Sequence, residues 1–245
     1  MYHTCRCALE LGFDYVWIDS CCIDKSNSAE LTESINSMFQ WYSKAAVCLI
    51  YLVDSYSELY TKDNTPCRWF SRSWTLQELL ASKRTEFYDN EWNVIGTLKH
   101  NDWSNWGVGD EFGDEIYEIT KVDTAALMGV VPLWKYSVEA KMSWAANRKC
   151  GRAEDMAYSL LGIFDIHMPL VYGEGAKQAF QRLQLEIIKS TPDLSIFAWH
   201  IEQNKLGAQF CSLLSQSPSQ FGFTRRICRS IPERHHTMTN KGIEM

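Results

Sequence analysis

FDYVWIDSCCIDKSNSAELTESINSMFQWYSKAAVCLIYLV, residues 13–53, is the stretch on which the fold turns. Tyr15, Val16, Trp17 and Ile18 form a short apolar, β-rich run that predicts a strand over 13–20. The polar loop DSCCIDKSNS closes it. Asn27 and Glu30 then stand at capping-box spacing, with Asn in place of the usual Ser or Thr. Leu31, Ile35, Met38, Phe39 and Tyr42 recur with a helical period. Ala46 to Val53 is a nearly continuous apolar run, which suits a parallel strand covered on both faces. Strand, helix and strand in this order predict a βαβ unit with a right-handed crossover.

Outward from this unit, Ala8, Leu9 and Leu11 mark the end of a helix that Gly12 terminates. A polar loop over 54–67 leads to the helix in RWFSRSWTLQELLAS (68–82), and RTEFYD (84–89) predicts a further strand. The first hundred residues therefore read as α/β with a mostly parallel sheet. Beyond residue 100 helical patterns dominate. The clearest are RAEDMAYSLLGIF (152–164) and EGAKQAFQRLQLEIIKS (174–190), the second with Phe180, Leu183 and Ile187 on a buried face and Pro192 past its end. The division expected is 1–100, 101–200 as a helical structural layer without catalysis of its own, and an irregular tail over 201–245.

The chain has 245 residues, a formal net charge of −6 and a 46% hydrophobic content, enough for a sizeable core. An acidic balance with scattered basic residues argues against nucleic acid, whose phosphates need a basic footprint. Nine cysteines at irregular spacing, with no C-x-x-C pair, read as free thiols in a reducing, cytoplasmic compartment rather than as a metal or disulfide framework. No apolar run is long enough to span a membrane.

Candidate chemistry is sparse. Gly173-Glu174-Gly175-Ala176-Lys177 lacks the full spacing of a phosphate loop and reads as a tight turn into a helix. His167 and the pair His235-His236 have no partner at ligand spacing. Asp19 and Asp24 flank Cys21-Cys22 at the carboxyl end of the first expected strand, where α/β sheets bind ligands; turn and cap hydrogen bonding is an equal reading. Glu78 lies opposite Leu76, Leu79 and Leu80 on its helix, on the side of Trp74. Thr75 to Glu78 also fits T-x-x-E, a capping box that would make Glu78 a structural carboxylate.

YVWIDSCCIDKSNSAE, MFQWYSKAAVCLIYL and RWFSRSWTLQELLAS, in that order and spacing, resemble the successive motifs of the fungal HET (heterokaryon incompatibility) domain. Ser73 departs from the Gly that usually precedes the Trp. The segment from MSWAANRKCGRAED to DLSIFAW, with LLSQSPSQF and MTNKGIEM, is similar to the region that follows this domain in vegetative incompatibility proteins. HET domains are in turn similar to TIR domains, which implies a TIR-like, flavodoxin-like sheet, here lacking its first strand. SWTLQEL resembles the TIR helix motif whose Glu cleaves the nicotinamide–ribose bond of NAD. By position that residue is Glu78, with Trp74, Asp19 and Asp24 bordering an NAD cleft. No metal or firm cofactor is implied; NAD would be a substrate. The resemblance implies non-self recognition and cell-death signalling through self-association or other signalling proteins, by NAD cleavage or as a non-catalytic docking module. It further implies that residues 1–245 are a fragment, poorly stable and inactive alone.

Overall fold

A computed structural model of the chain describes residues 1–56, 58–100, 111–200, 212–222, 237–239 and 242–244. Helix α1 (Tyr2–Glu10) ends as expected at Gly12, which takes the left-handed φ of +82°. Helix α2 (Asp19–Cys22) is a single turn, and α3 (Ser28–Lys44) follows. The cap of α3 is a widened capping box. Asn27 Oδ1 accepts from the amides of Ala29 and Glu30 at 3.1 and 3.3 Å, while Glu30 Oε1 reaches past Asn27 to the Asp24 amide at 2.9 Å.

The strand expected over 13–20 does not form. Residues 13–18 run without any ladder pairing and 19–22 turn into α2. Tyr15 is 92% exposed, and Trp17 leans on α3 instead, edge-on to Trp41 and Tyr42 with ring centroids 5.3 and 5.7 Å apart. Side-chain character alone does not make a strand; a neighbour must supply the hydrogen bonds, and no described residue does. The expected crossover between this segment and the next strand is accordingly absent.

The sheet is instead β1 (Cys48–Tyr51), β2 (Arg84–Tyr88) and β3 (Val94–Lys99) in the order β1-β2-β3. β1 is parallel to β2 with Cys48 opposite Thr85, and helix α4 (Thr75–Ala81) lies in the connection between them. β2 and β3 are antiparallel, so the sheet is mixed rather than mostly parallel. β1 is covered on one face only: Cys48, Ile50 and Leu52 are buried while Tyr51 and Val53 are exposed. β3 escaped the sequence reading because Gly96 interrupts its apolar pattern. That glycine is required, since a Cβ there would sit 2.3 Å from the ring of Phe112, which lies across the strand.

The remaining helices are α5 (Glu111–Thr120), α6 (Thr124–Leu127), α7 (Val138–Ser143), α8 (Asp155–Tyr158), α9 (Leu161–Phe164) and α10 (Ala176–Ser190). The helix expected over 152–164 is thus two short turns. They pack on the first part of the chain in one continuous core that runs from Ile23 to Phe221. α9 approaches α3 closely: a Cβ at Gly162 would lie 2.1 Å from Phe39 Cβ. Phe180, Leu183 and Ile187 of α10 are buried, as their spacing predicts. Within the tail, Pro218–Phe221 forms a 3-10 turn, and β4 (Thr237–Thr239) pairs antiparallel with β5 (Gly242–Glu244). His235-His236 and most of the expected irregular tail lie outside the described residues.

Candidate functional site

RWFSRSWTLQELLAS folds as a 3-10 turn, Arg68–Ser71, followed by α4. The T-x-x-E capping box does not form. Trp74, not Thr75, occupies the N-cap position. The single Thr75 hydroxyl proton is shared between the carbonyls of Trp69 and Arg72, at 2.7 and 2.9 Å. The hydroxyl oxygen accepts in turn from Arg148 Nη1 at 2.9 Å. Leu76, Leu79 and Leu80 face the core, and Glu78 is half-buried on another side of the helix.

Glu78 does not sit alone. Burial raises its pKa, and the carboxylate of Asp19 raises it further, to about 7. Three groups oppose the rise without cancelling it. The Trp69 side chain, whose sole donor is the indole N–H, hydrogen-bonds the carboxyl, and the guanidinium groups of Arg72 and Arg148 favour its charged form. Tyr42 and Cys48 complete the niche. Burial, then the charge of Glu78, pushes the Cys48 thiol up to about 12, so it stays neutral and is no nucleophile. The Tyr42 hydroxyl is raised by burial and then by Glu78, Cys48 and Asp19.

Helices α2, α3 and α4 and strand β1 therefore bring Asp19, Tyr42, Glu78 and Cys48 together. Two acidic groups close enough to interact, Glu78 half-buried and Asp19 exposed, attract positive charge. A carboxyl that titrates near neutrality can also hold or release a proton there.

The other expected site residues lie elsewhere. Asp24 is exposed, and its Oδ1 accepts from the amide and hydroxyl of Ser26 at 2.9 and 2.6 Å, which lowers its pKa and fixes the loop. The Trp74 indole donates to Asp155 Oδ2 at 3.0 Å, and Tyr172 donates to Asp155 Oδ1 at 2.9 Å. Trp69, rather than Trp74, is the indole beside Glu78. Sequence reasoning missed Trp69, Tyr42 and Arg148. Spacing marks Tyr42 only as part of the apolar stripe of α3, Trp69 stands in its motif without a spacing that marks it, and Arg148 carries no local signal at all.

The glycine turn is filled by the protein itself. Gly173 and Gly175 have positive φ, and their amides donate to Glu154 Oε1 at 2.9 and 3.0 Å. The donors a phosphate would need are thus already taken, in agreement with the tight-turn reading. Among the described residues no group of His, Cys, Asp and Glu side chains could hold a metal ion.

A cavity of about 1290 Å³ has Arg148 in its wall. Phe70, Tyr117, Trp134, Tyr136, Trp144 and Arg148 are among its lining residues, and Glu78 is not.

Residues 1–66 match the family described as Heterokaryon incompatibility protein (HET), and residues 178–243 match a Domain of unknown function (DUF8212). Asp19 and Asp24 fall within the first match; Trp74 and Glu78 lie beyond it. The chain is 44% identical over 186 residues to the Vegetative incompatibility protein HET-E-1 of Podospora anserina. That alignment covers 73% of this chain and 13% of the relative, so the chain spans a small part of the curated relative's length. No solved structure matches. Among the described residues no helix is long and apolar enough to cross a membrane.

Proposed function

We propose, on the premise that this chain belongs with the fungal HET-domain incompatibility proteins, that it serves vegetative (heterokaryon) incompatibility as a cytoplasmic cell-death signalling module. The proposal extends to chemistry. In the complete protein Glu78 cleaves the nicotinamide–ribose bond of NAD, with a TIR-like use of the helix after the first strand of the sheet. The bond to nicotinamide breaks with its electron pair leaving on nicotinamide, and water adds to the oxocarbenium-like ribose and loses a proton, giving ADP-ribose. The paired carboxyls of Asp19 and Glu78 stabilise that positive charge, and the Trp69 N–H orients Glu78 against the ring. The observation that carries this reading is the Glu78 carboxyl itself, half-buried, free of any capping role and raised to about 7 by burial and by Asp19. Incubating the full-length protein with NAD and measuring free nicotinamide tests it. Absence of release, under conditions where the protein triggers death, removes the enzymatic half of the proposal.

A non-catalytic docking or self-association module is the second reading. It is favoured by the exposure of Tyr15, Tyr51, Tyr56 and Val53, and by β1 having no strand on the edge away from β2 among the described residues. Concentration-dependent assembly that triggers death with NAD levels unchanged is the result this reading expects.

A further inference from the structure

We propose that the cavity beside Arg148 is a binding site for a small organic anion that carries a planar ring, with Arg148 as its anion-binding residue. Arg148 is 8% exposed, so more than nine-tenths of the residue is removed from water. Most of its donors are committed. Nε donates to the Trp144 carbonyl at 3.2 Å, and Nη1 donates to the Arg72 carbonyl at 3.0 Å and to the Thr75 hydroxyl at 2.9 Å. Nη2 is buried and has no hydrogen-bond partner. An unmet donor on a buried cation is costly, and an oxyanion is the acceptor that a guanidinium edge matches best.

The rest of the wall narrows the ligand. Trp134, Tyr136, Trp144 and Phe70 line the cavity, and Tyr136 meets Trp144 edge-to-face at 5.1 Å between ring centroids. Such a wall suits a flat ring. Asp123 and Glu139 line the same space. They disfavour a bare polyanion and suit a ligand that brings hydroxyl or amino donors of its own. Ring, oxyanion and hydrogen-bond donors together describe a nucleoside monophosphate as the simplest match. The cavity is roomy for one, at about 1290 Å³. Glu78 does not line it, but Arg148 also favours the charged form of Glu78, so a binding measurement rather than NAD turnover reads this site.

The test is calorimetric titration of the protein with AMP, adenosine and inorganic phosphate, each with thermal melting. AMP is expected to bind at least tenfold more tightly than either part alone, and Arg148→Gln to weaken AMP by tenfold or more. Because Arg148 also supports α4, Ala140→Phe serves as the second variant. It projects a ring into the cavity from α7, replaces none of the groups that Arg148 hydrogen-bonds, and should weaken AMP binding by tenfold or more while keeping a cooperative melt. The proposal is overturned if AMP gives no binding at millimolar concentration, or if either variant, shown to be folded, binds AMP as the parent does. If Arg148→Gln does not fold, the Ala140→Phe result decides.

Discussion

Arg148 and Thr75 are 73 residues apart in sequence and joined by a 2.9 Å hydrogen bond from Nη1 to the Thr75 hydroxyl. Through it, a residue from the helical part of the chain anchors the first turn of α4, one turn before Glu78. Arg72 feeds the same guanidinium with its carbonyl. The start of the helix that bears the candidate catalytic carboxyl is therefore held from outside the segment that encodes it. This arrangement takes the place of the capping box that the local sequence offered.

Arg148→Met should accordingly destabilise the fold by about 1–3 kcal/mol, because it leaves the Trp144 carbonyl and the Thr75 hydroxyl without the donor that Arg148 supplies. It should also raise the Glu78 pKa further, since Arg148 favours the charged carboxylate. Urea unfolding measures the first effect, and carboxyl-detected NMR titration the second. An unchanged midpoint in both experiments refutes the anchoring role.

Glu78 sets a pH dependence with a definite sign. Its folded pKa of about 7 lies above its ordinary 4.5, so the folded state binds more protons between those values. Stability from this group is then fully present below about 4.5 and is lost as pH rises through about 7. Glu78→Gln mimics the protonated form. It should gain on the parent at pH 8 by on the order of 1–3 kcal/mol, with the gain shrinking toward pH 5. The same variant should lose death signalling and nicotinamide release. A variant less stable than the parent at pH 8, with signalling retained, points to a structural carboxylate instead.

Trp74→Phe separates the two tryptophans of this motif. It removes the indole donor to Asp155 and should cost about 1–2 kcal/mol while leaving activity per folded molecule intact. Trp69→Phe removes the hydrogen bond to Glu78 and should shift the pH profile of activity upward, because that bond lowers the Glu78 pKa. Equal effects of the two substitutions on the pH profile contradict this assignment.

In α10, Leu183→Ala should cost about 2–5 kcal/mol by the cavity it opens in a fully buried position. Chemical denaturation measures it. A loss below about 0.5 kcal/mol is the size expected of a surface position, not of a shared core.

What the chain's local order determined is what depends on near neighbours. Asn27 and Glu30 mark the start of α3, apolar spacing marks the buried faces of α3 and α10, and the leucines of α4 leave Glu78 on a different side. These follow from helical periodicity and capping, which need only residues three or four apart. Tertiary structure decided the rest. Residues 13–18 have the side chains of a strand but no partner to ladder with among the described residues, whereas β3, with a glycine within it, has β2 beside it and Phe112 across it. The resting charge of Glu78 belongs to the same class. It depends on Asp19, Trp69, Arg72 and Arg148, which reach it only once the helices have packed. Strand pairing and pKa are both set by groups distant in sequence, so no reading of spacing along the chain contains them.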